Sequence, residues 1–397
     1  MTAASPSRLL TPAFVLLAVA TLAYFIADGM TLPATPLYVT DALGGDDVAV
    51  GLTVGAFGLT ALILRPLSGA LADRRGRRPL LIGGSALFAI GMLGHLVAVS
   101  VPLLIAMRLL LGAAEAFMFV AALTTASDLA PDDRRGEAIN YLSLSLYVGI
   151  AIGPLIGEAL LDVADFNAVW IAAAALAGLA VALAWRVPET RPPDLEPTDE
   201  PVPHRGLAAR FLHPAAVGPG LVLLAGTWGM GGFFAFLVLH ARELGLDGAG
   251  SLFLLYAGIV ILLRAAIPWL PDRLGYARTA ALGLTAEFIG LLILGLAPGV
   301  ASLYIGTAVF GFGATFMAPA LLTMAVDRVG STERGAVLGS TSAFIDLGFG
   351  LAPAVLGSVA AAFGYGSVFA VSAFVALAGV GLLALMRRRA PASAIPA

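Results

Sequence analysis

The chain has 397 residues, 59% of them hydrophobic and only 12% charged, with a formal net charge of -3. A soluble globule carries about a quarter of its residues as charges, so this composition excludes one and points to an integral membrane protein. Cysteine is absent, which excludes disulfides, thiol catalysis and cysteine-ligated metals, and the near-neutral balance gives no footing for nucleic acid.

Apolar runs fall, in chain order, at about 13–39, 48–72, 79–100, 102–126, 139–161 and 167–187. A second set falls at about 216–240, 249–271, 279–298, 300–326, 336–361 and 364–386. Each is long enough to cross about 30 Å of hydrocarbon as a helix, and in lipid only helices or closed barrels satisfy the backbone. Runs of this length exclude barrel strands, so the expected fold is all-α with twelve transmembrane helices. The first run is too long for a signal-peptide core and lacks a cleavage site, so it reads as a retained first helix.

Charge marks the loops. The second run stops at Gly69-Ala-Leu-Ala-Asp73-Arg74-Arg75-Gly76-Arg77-Arg78-Pro79, and apolar sequence resumes at Leu80. Arg8, Arg74–Arg78, Arg134, Arg135, Arg186, Arg191, Arg205, Arg210, Arg273, Arg278, Arg328, Arg334 and Arg387–Arg389 all fall on one side of the runs. The opposite loops carry Asp41, Asp46, Asp47, Asp162 and Asp165, with Arg242 as their one base. The positive-inside rule then places both termini in the cytoplasm, in a bacterial cytoplasmic membrane if the all-arginine basic set reflects a GC-rich genome.

The stretch 188–214, rich in Pro, Glu and Asp, reads as a cytoplasmic linker between six-helix bundles at 1–187 and 215–397. Across it, one offset of about 199 residues pairs Arg65 with Arg264, Asp73 with Asp272, and Gly76 with Gly275. The same offset pairs Asp128 with Asp327, Arg135 with Arg334, Gly149 with Gly348 and Pro154 with Pro353. Two related halves are the plan of a secondary transporter with its substrate site at their interface.

With those residues in place, the chain resembles the major facilitator superfamily. Gly69 to Arg78 matches the family's loop pattern G-x-L-A-D-R-x-G-R-[RK] at every position. Arg108-Leu-Leu-Leu111-Gly112 resembles R-x-x-Q-G with leucine for glutamine, and Gly149-x-x-x-Gly153-Pro154-x-x-Gly157-Glu158 resembles the antiporter motif with Glu158 for its last glycine. Asp28-Gly-Met-Thr-Leu-Pro33-Ala-Thr-Pro36 resembles the paired prolines that end the first helix in twelve-helix drug/proton exporters.

The resemblance implies roles. Asp73 would meet the N-terminal end of the eleventh span near Arg334–Val337. With Gly69, Arg74, Gly76, Arg77, Arg78, Asp128, Arg135 and the weaker copy Asp272-Arg273 it would form a conformational latch; the alternative is a solvated loop whose arginines only set topology. Gly149, Gly153, Pro154, Gly157 and Pro353 would act as hinges, or simply let helices approach closely.

Ionisable groups inside the membrane are costly and so are candidate working parts. Rising about 1.5 Å per residue, Asp28 and Arg108 reach nearly the same depth on spans that line the family's cavity, so they could pair, and protonating Asp28 would release the arginine. Glu115, two helical turns beyond Arg108, and Asp346 are further proton-coupling candidates. Arg65 and Arg264 are expected to snorkel to the interface. Glu287 falls on the ninth span, peripheral in the family, and reads as a protonated or locally bonded structural group.

Tyr24, Phe25, Phe119, Trp228, Phe233, Phe234, Phe312 and Phe316 are the candidate cavity lining, which favours a bulky lipophilic substrate over a sugar. No G-x-x-x-x-G-K-[ST] loop is present, so a proton gradient rather than ATP is the expected energy source; no cofactor, metal site or catalytic arrangement is expected. The expectation is a monomeric proton-coupled exporter of a small amphipathic compound, not an enzyme. The alternatives are an uptake permease and a membrane enzyme or sensor that has lost transport.

Overall fold

The computed structural model describes residues 9–131, 134–191, 213–330 and 333–389. Arg8, Arg205, Arg210 and most of the expected linker lie outside the described residues. No strand occurs among the described residues, and the twelve apolar runs fall on helices. These are α1 (Pro12–Leu37), α2 (Asp47–Arg75), α3 (Arg77–His95), α4 (Val101–Leu129), α5 (Arg135–Val163) and α6 (Phe166–Ala184). After the linker come α7 (Pro214–Glu243), α8 (Gly250–Ala266), the single-turn α9 (Leu270–Leu274), α10 (Tyr276–Leu296), α11 (Val300–Val326), α12 (Arg334–Phe363) and α13 (Tyr365–Arg389). Ten helices among the described residues are long and apolar enough to cross a membrane; α3 and the 17-residue α8 fall outside that set.

Local chemistry sets the helix starts. Thr11 Oγ1 accepts from Phe14 N–H at 3.2 Å and Pro12 follows, where no donor is needed. Asp165 Oδ1 does the same for α6, accepting from Ala168 N–H at 2.9 Å. Pro33 and Pro36 do not end the first helix. It runs on to Leu37 and continues as a π-helical turn over Tyr38–Ala42, closed by Leu43 N–H donating to the Tyr38 carbonyl oxygen at 3.0 Å. In the second half, the run at about 249–271 is divided. Pro268 and Pro271 stop α8 at Ala266 and leave Leu270–Leu274 as its own turn, whereas α2 passes Pro66 unbroken to Arg75.

The chain divides into two compact units, residues 1–44 with 59–201 and residues 45–58 with 202–397. Within the first, α1 crosses α5 at backbone contact. A Cβ on Gly153 would stand 2.7 Å from the Gly29 Cα and the Ile26 carbonyl oxygen, and one on Gly157 2.7 Å from the Met30 carbonyl oxygen. Within the second, the duplicate crossing joins α7 to α12, where a Cβ on Gly231 would stand 2.9 Å from the Gly348 carbonyl oxygen and 3.1 Å from Pro353 Cδ. Small residues allow such approach in helices that lack a hydrophobic drive between them. The first part of α2 packs in the second unit: a Cβ on Gly58 would stand 2.6 Å from the Gly350 nitrogen, and Tyr365 Oη donates to Asp47 Oδ1 at 2.8 Å.

The internal repeat extends to backbone conformation. Gly76 and Gly275 precede α3 and α10 with φ of 98° and 80° and ψ of 165° and 143°. Side-chain-bearing residues avoid this region, which explains glycine at both copies.

Candidate functional site

The first unit brings four ionisable groups together within its helices. Arg108 of α4 is buried and donates from Nη1 to Thr31 Oγ1 at 3.3 Å; Thr31 Oγ1 donates in turn to the Asp28 carbonyl oxygen at 2.8 Å. The hydroxyl of Thr31 thus ties the arginine to the same turn of α1 that carries Asp28, through the backbone carbonyl of that residue. Two turns further along α4, buried Glu115 accepts from Arg65 of α2, Oε2 to Nη2, at 3.5 Å.

Arg65 does not simply snorkel. Its guanidinium lies over the Phe119 ring, 5.5 Å from the centroid, and an apolar ring face with a carboxylate one turn away holds a desolvated guanidinium better than an interface alone. Phe25 closes the group, edge to face with Phe119 at 5.9 Å. Tyr24, one turn before Asp28 on α1, is fully buried, its ring 5.4 Å from Phe25 and 4.7 Å from Phe88 of α3.

At the arginine-rich end of this unit, Arg77 is the hub. Nε donates to Asp128 Oδ2 at 3.1 Å, Nη1 to the Ala72 carbonyl oxygen at 3.0 Å, and Nη2 pairs with Asp73 Oδ1 at 3.4 Å. Asp73 itself is two-thirds exposed. Gly69 precedes this cluster on α2, Arg74 lies in the last turn of that helix, and Arg135 opens α5 on the exposed surface.

Sequence reasoning missed Glu189. Its carboxylate sits on the N-terminus of α3, accepting from Arg77 N–H at 2.8 Å and Arg78 N–H at 3.1 Å, and from its own neighbours Thr190 N–H and Arg191 N–H at 3.0 Å each. Thr190 Oγ1 donates to Asp128 Oδ2 at 2.9 Å and Arg191 Nη1 to the Arg74 carbonyl oxygen at 2.7 Å. Arg78 Nη2 reaches the Trp185 carbonyl oxygen. The start of the expected linker is thus fastened to the loop it follows. The available signal was an acid after a proline, Pro188-Glu189, on the arginine side of the membrane.

A Cβ at Gly76 would collide with the Glu189 carboxylate, so the same glycine supplies both the turn and the room for the cap. Burial pushes the Glu189 carboxyl up, but the backbone N–H groups of Arg77, Arg191, Arg78 and Thr190 outweigh it and hold the group below the usual carboxylate range. A depressed value in the folded state means stabilisation that is complete above the ordinary value and lost as pH falls through the folded one. Thermal unfolding of the purified protein is expected to lose stability on acidification through this range, with a smaller loss in Glu189→Gln; equal acid sensitivity in both would contradict the cap.

The second unit carries the copy differently. Position 276 is tyrosine where the first unit has Arg77, and Tyr276 Oη donates to Asp272 Oδ1 at 3.0 Å. Arg273 lies over the Trp269 ring at 4.3 Å. Asp346 is buried on α12. Phe233 packs with Phe253, Tyr256 and Phe310, and Phe234 stacks on Phe253 at 5.9 Å and on Phe349 at 5.9 Å. Phe312 meets Phe316 edge to face at 6.3 Å. Trp228 faces an open apolar groove with Leu221, Leu224, Val375 and Leu382, away from this aromatic group.

A family model described as Major Facilitator Superfamily matches residues 17–286 and 248–397. An uncharacterized MFS-type transporter of Salmonella typhimurium is 31% identical over 374 residues, covering 92% of this chain and 94% of that one. Another, from Pseudomonas aeruginosa, is 30% identical over 373 residues, covering 92% and 90%. Solved structures share the fold at low identity. They include the nucleoside transporter NupG (14% identity, TM-score 0.74, 96% and 100% covered) and the human organic anion transporter MFSD10 (19%, 0.74, 96% and 100%). A POT family transporter in complex with a thioalcohol-conjugated peptide also matches (12%, 0.80, 94% and 95%). The family match over nearly the whole length, joined to the helical fold and the Gly69–Arg78 loop, establishes that the chain belongs to the Major Facilitator Superfamily of membrane transporters.

Proposed function

We propose that the protein couples proton movement to the export of a small amphipathic or lipophilic compound by alternating access in a bacterial cytoplasmic membrane. It works as a monomer with both termini in the cytoplasm and the proton gradient as its energy source. The observation that carries the reading is the set Asp28–Thr31–Arg108 and Glu115–Arg65 beside Phe25 and Phe119. Two carboxylates and two guanidiniums balance in an apolar surround, so taking up one proton leaves an arginine uncompensated. That imbalance is large inside a membrane, where an unpaired charge costs on the order of several kcal/mol.

Asp28 is the primary proton carrier in this scheme, Glu115 the second, and Asp346 the candidate in the other unit. The rings of Phe25 and Phe119 supply flat apolar surface to the substrate, with Phe234, Phe312 and Phe316 as candidates opposite them in sequence. The Arg77 cluster controls conformation rather than contacting the substrate, and the glycines of α5 act as hinges. Uptake of a metabolite would use the same groups and differs in the direction of proton flow.

The experiment is proton flux in proteoliposomes containing the full chain and an internal pH dye. Amphipathic cationic dyes, nucleosides, peptides and organic anions are added singly under an imposed pH gradient. A substrate-dependent proton efflux or influx supports coupling. Substrate movement without proton movement overturns it.

A further inference from the structure

The second unit holds a carboxylate that the scheme above does not use. Glu287 is the twelfth residue of the 21-residue α10 and is completely buried, and neither carboxylate oxygen has a hydrogen-bond partner among the described residues. It lies in a slot cut by glycines from three helices. A Cβ on Gly226 of α7 would stand 3.0 Å from Oε2, and one on Gly313 of α11 would stand 2.7 Å from the Glu287 nitrogen and 2.8 Å from its Cγ. A Cβ on Gly283, one turn earlier on α10, would stand 2.9 Å from the Gly313 carbonyl oxygen and 3.1 Å from Met317 Cβ. Next to the slot is an apolar core formed by Val222, Leu223, Ala280, Leu284 and Met317.

No charge is at hand to compensate an ionised carboxylate there. The ionisable residues of the packed helices stand near their ends: Tyr276 and Arg278 on α10, His240 to Glu243 on α7, Tyr304 on α11 and Arg387 on α13. An isolated carboxylate in such a place takes a proton instead of remaining charged. The slot is too tight for an organic cation or a metal ion, since even a methyl group on Gly226 would press on Oε2. The one ligand that fits is a proton.

We propose that Glu287 is a proton-binding site of the second unit, neutral while enclosed between α7, α10 and α11 and exchanging its proton with water when those helices part. Release breaks the O–H bond, the proton passes to an entering water molecule, and the carboxylate is hydrated while exposed. The proposal goes beyond the coupling scheme of the first unit and depends on neither the substrate nor the direction of transport.

Difference infrared spectroscopy of the full chain in lipid, wild type against E287Q, tests it. Glutamine keeps the shape of the neutral acid, so size-exclusion profile and thermal stability are expected to stay unchanged. The wild type is expected to show a protonated-carboxyl stretch at neutral pH that is missing in E287Q and moves down on transfer to D2O. If E287Q does not fold, Gly226→Ala serves instead and is expected to shift the same band by crowding Oε2. Superimposable carboxylic-acid regions in wild type and variant overturn the site. A band that never exchanges in D2O overturns its role as a proton carrier and leaves a locked structural acid. Loss of proton flux in the liposome experiment alone would refute the first-unit scheme without touching this result.

Discussion

Replacing Arg77 with alanine is expected to lower the stability of the protein by about 2–4 kcal/mol and its transport rate by roughly tenfold or more. The guanidinium is almost wholly buried and makes two well-formed bonds, to Asp128 and to the Ala72 carbonyl. A hydrogen bond to a charged group contributes about 1.5–3 kcal/mol, and truncation also leaves the partner's desolvation uncompensated. The Asp73 contact adds little, because that carboxylate is mostly in solvent. Lysine should not rescue the variant, since one ammonium cannot reach three acceptors set in a fork. Thermal unfolding and uptake or efflux in liposomes measure both effects; a wild-type melting temperature together with wild-type transport in Arg77→Ala would remove the cluster from the account. The bonds of this cluster centre on Arg77 and its unforeseen partner Glu189 rather than on Asp73, which the motif emphasises.

The second large effect is expected at the α1–α5 crossing. Gly153→Leu would place its first side-chain carbon 2.7 Å from backbone atoms of Gly29 and Ile26, which no rotamer change can relieve. Overpacking costs about 1–3 kcal/mol where side chains can yield and more where backbone must move, so a loss of roughly 3 kcal/mol or greater follows. The separation would also displace Phe25 and Asp28, so the surviving folded fraction should transport poorly. Gly178→Ala is the control: among the described residues no atom outside the backbone of its own helix and its chain neighbours lies within 4 Å of a Cβ there, and no loss is expected. Equal melting temperatures for Gly153→Leu and Gly178→Ala would show that the crossing is looser than its geometry indicates.

Much of this architecture was legible because membrane helices announce themselves by length and apolarity, and because duplication repeats the rare residues. Gly76 and Gly275 were readable as a pair from the offset alone, and their shared positive φ gives the physical cause. The α1–α5 contact was readable as a glycine run, though the sequence does not say that Gly29 is the surface it meets. Pair identities were the illegible part. Arg65 and Glu115 stand 50 positions apart and Arg77 and Glu189 112 apart, and no local pattern links them. Glu189 works through backbone N–H groups, which every residue has and which leave no trace in composition. The break before Pro268 and the continuation past Pro36 show that a proline alone does not decide where a helix stops.

The central claim is that protonation of Asp28, and secondarily of Glu115, drives substrate movement through Arg108 and Arg65. Its most direct test is substrate-induced proton flux across liposomes, recorded for wild type, Asp28→Asn and Glu115→Gln over a range of pH. The account predicts flux that depends on pH in the wild type, falls at least about tenfold in Asp28→Asn, and loses its pH dependence there while substrate exchange without a gradient persists. Proton flux with wild-type magnitude and pH dependence in both variants would contradict it.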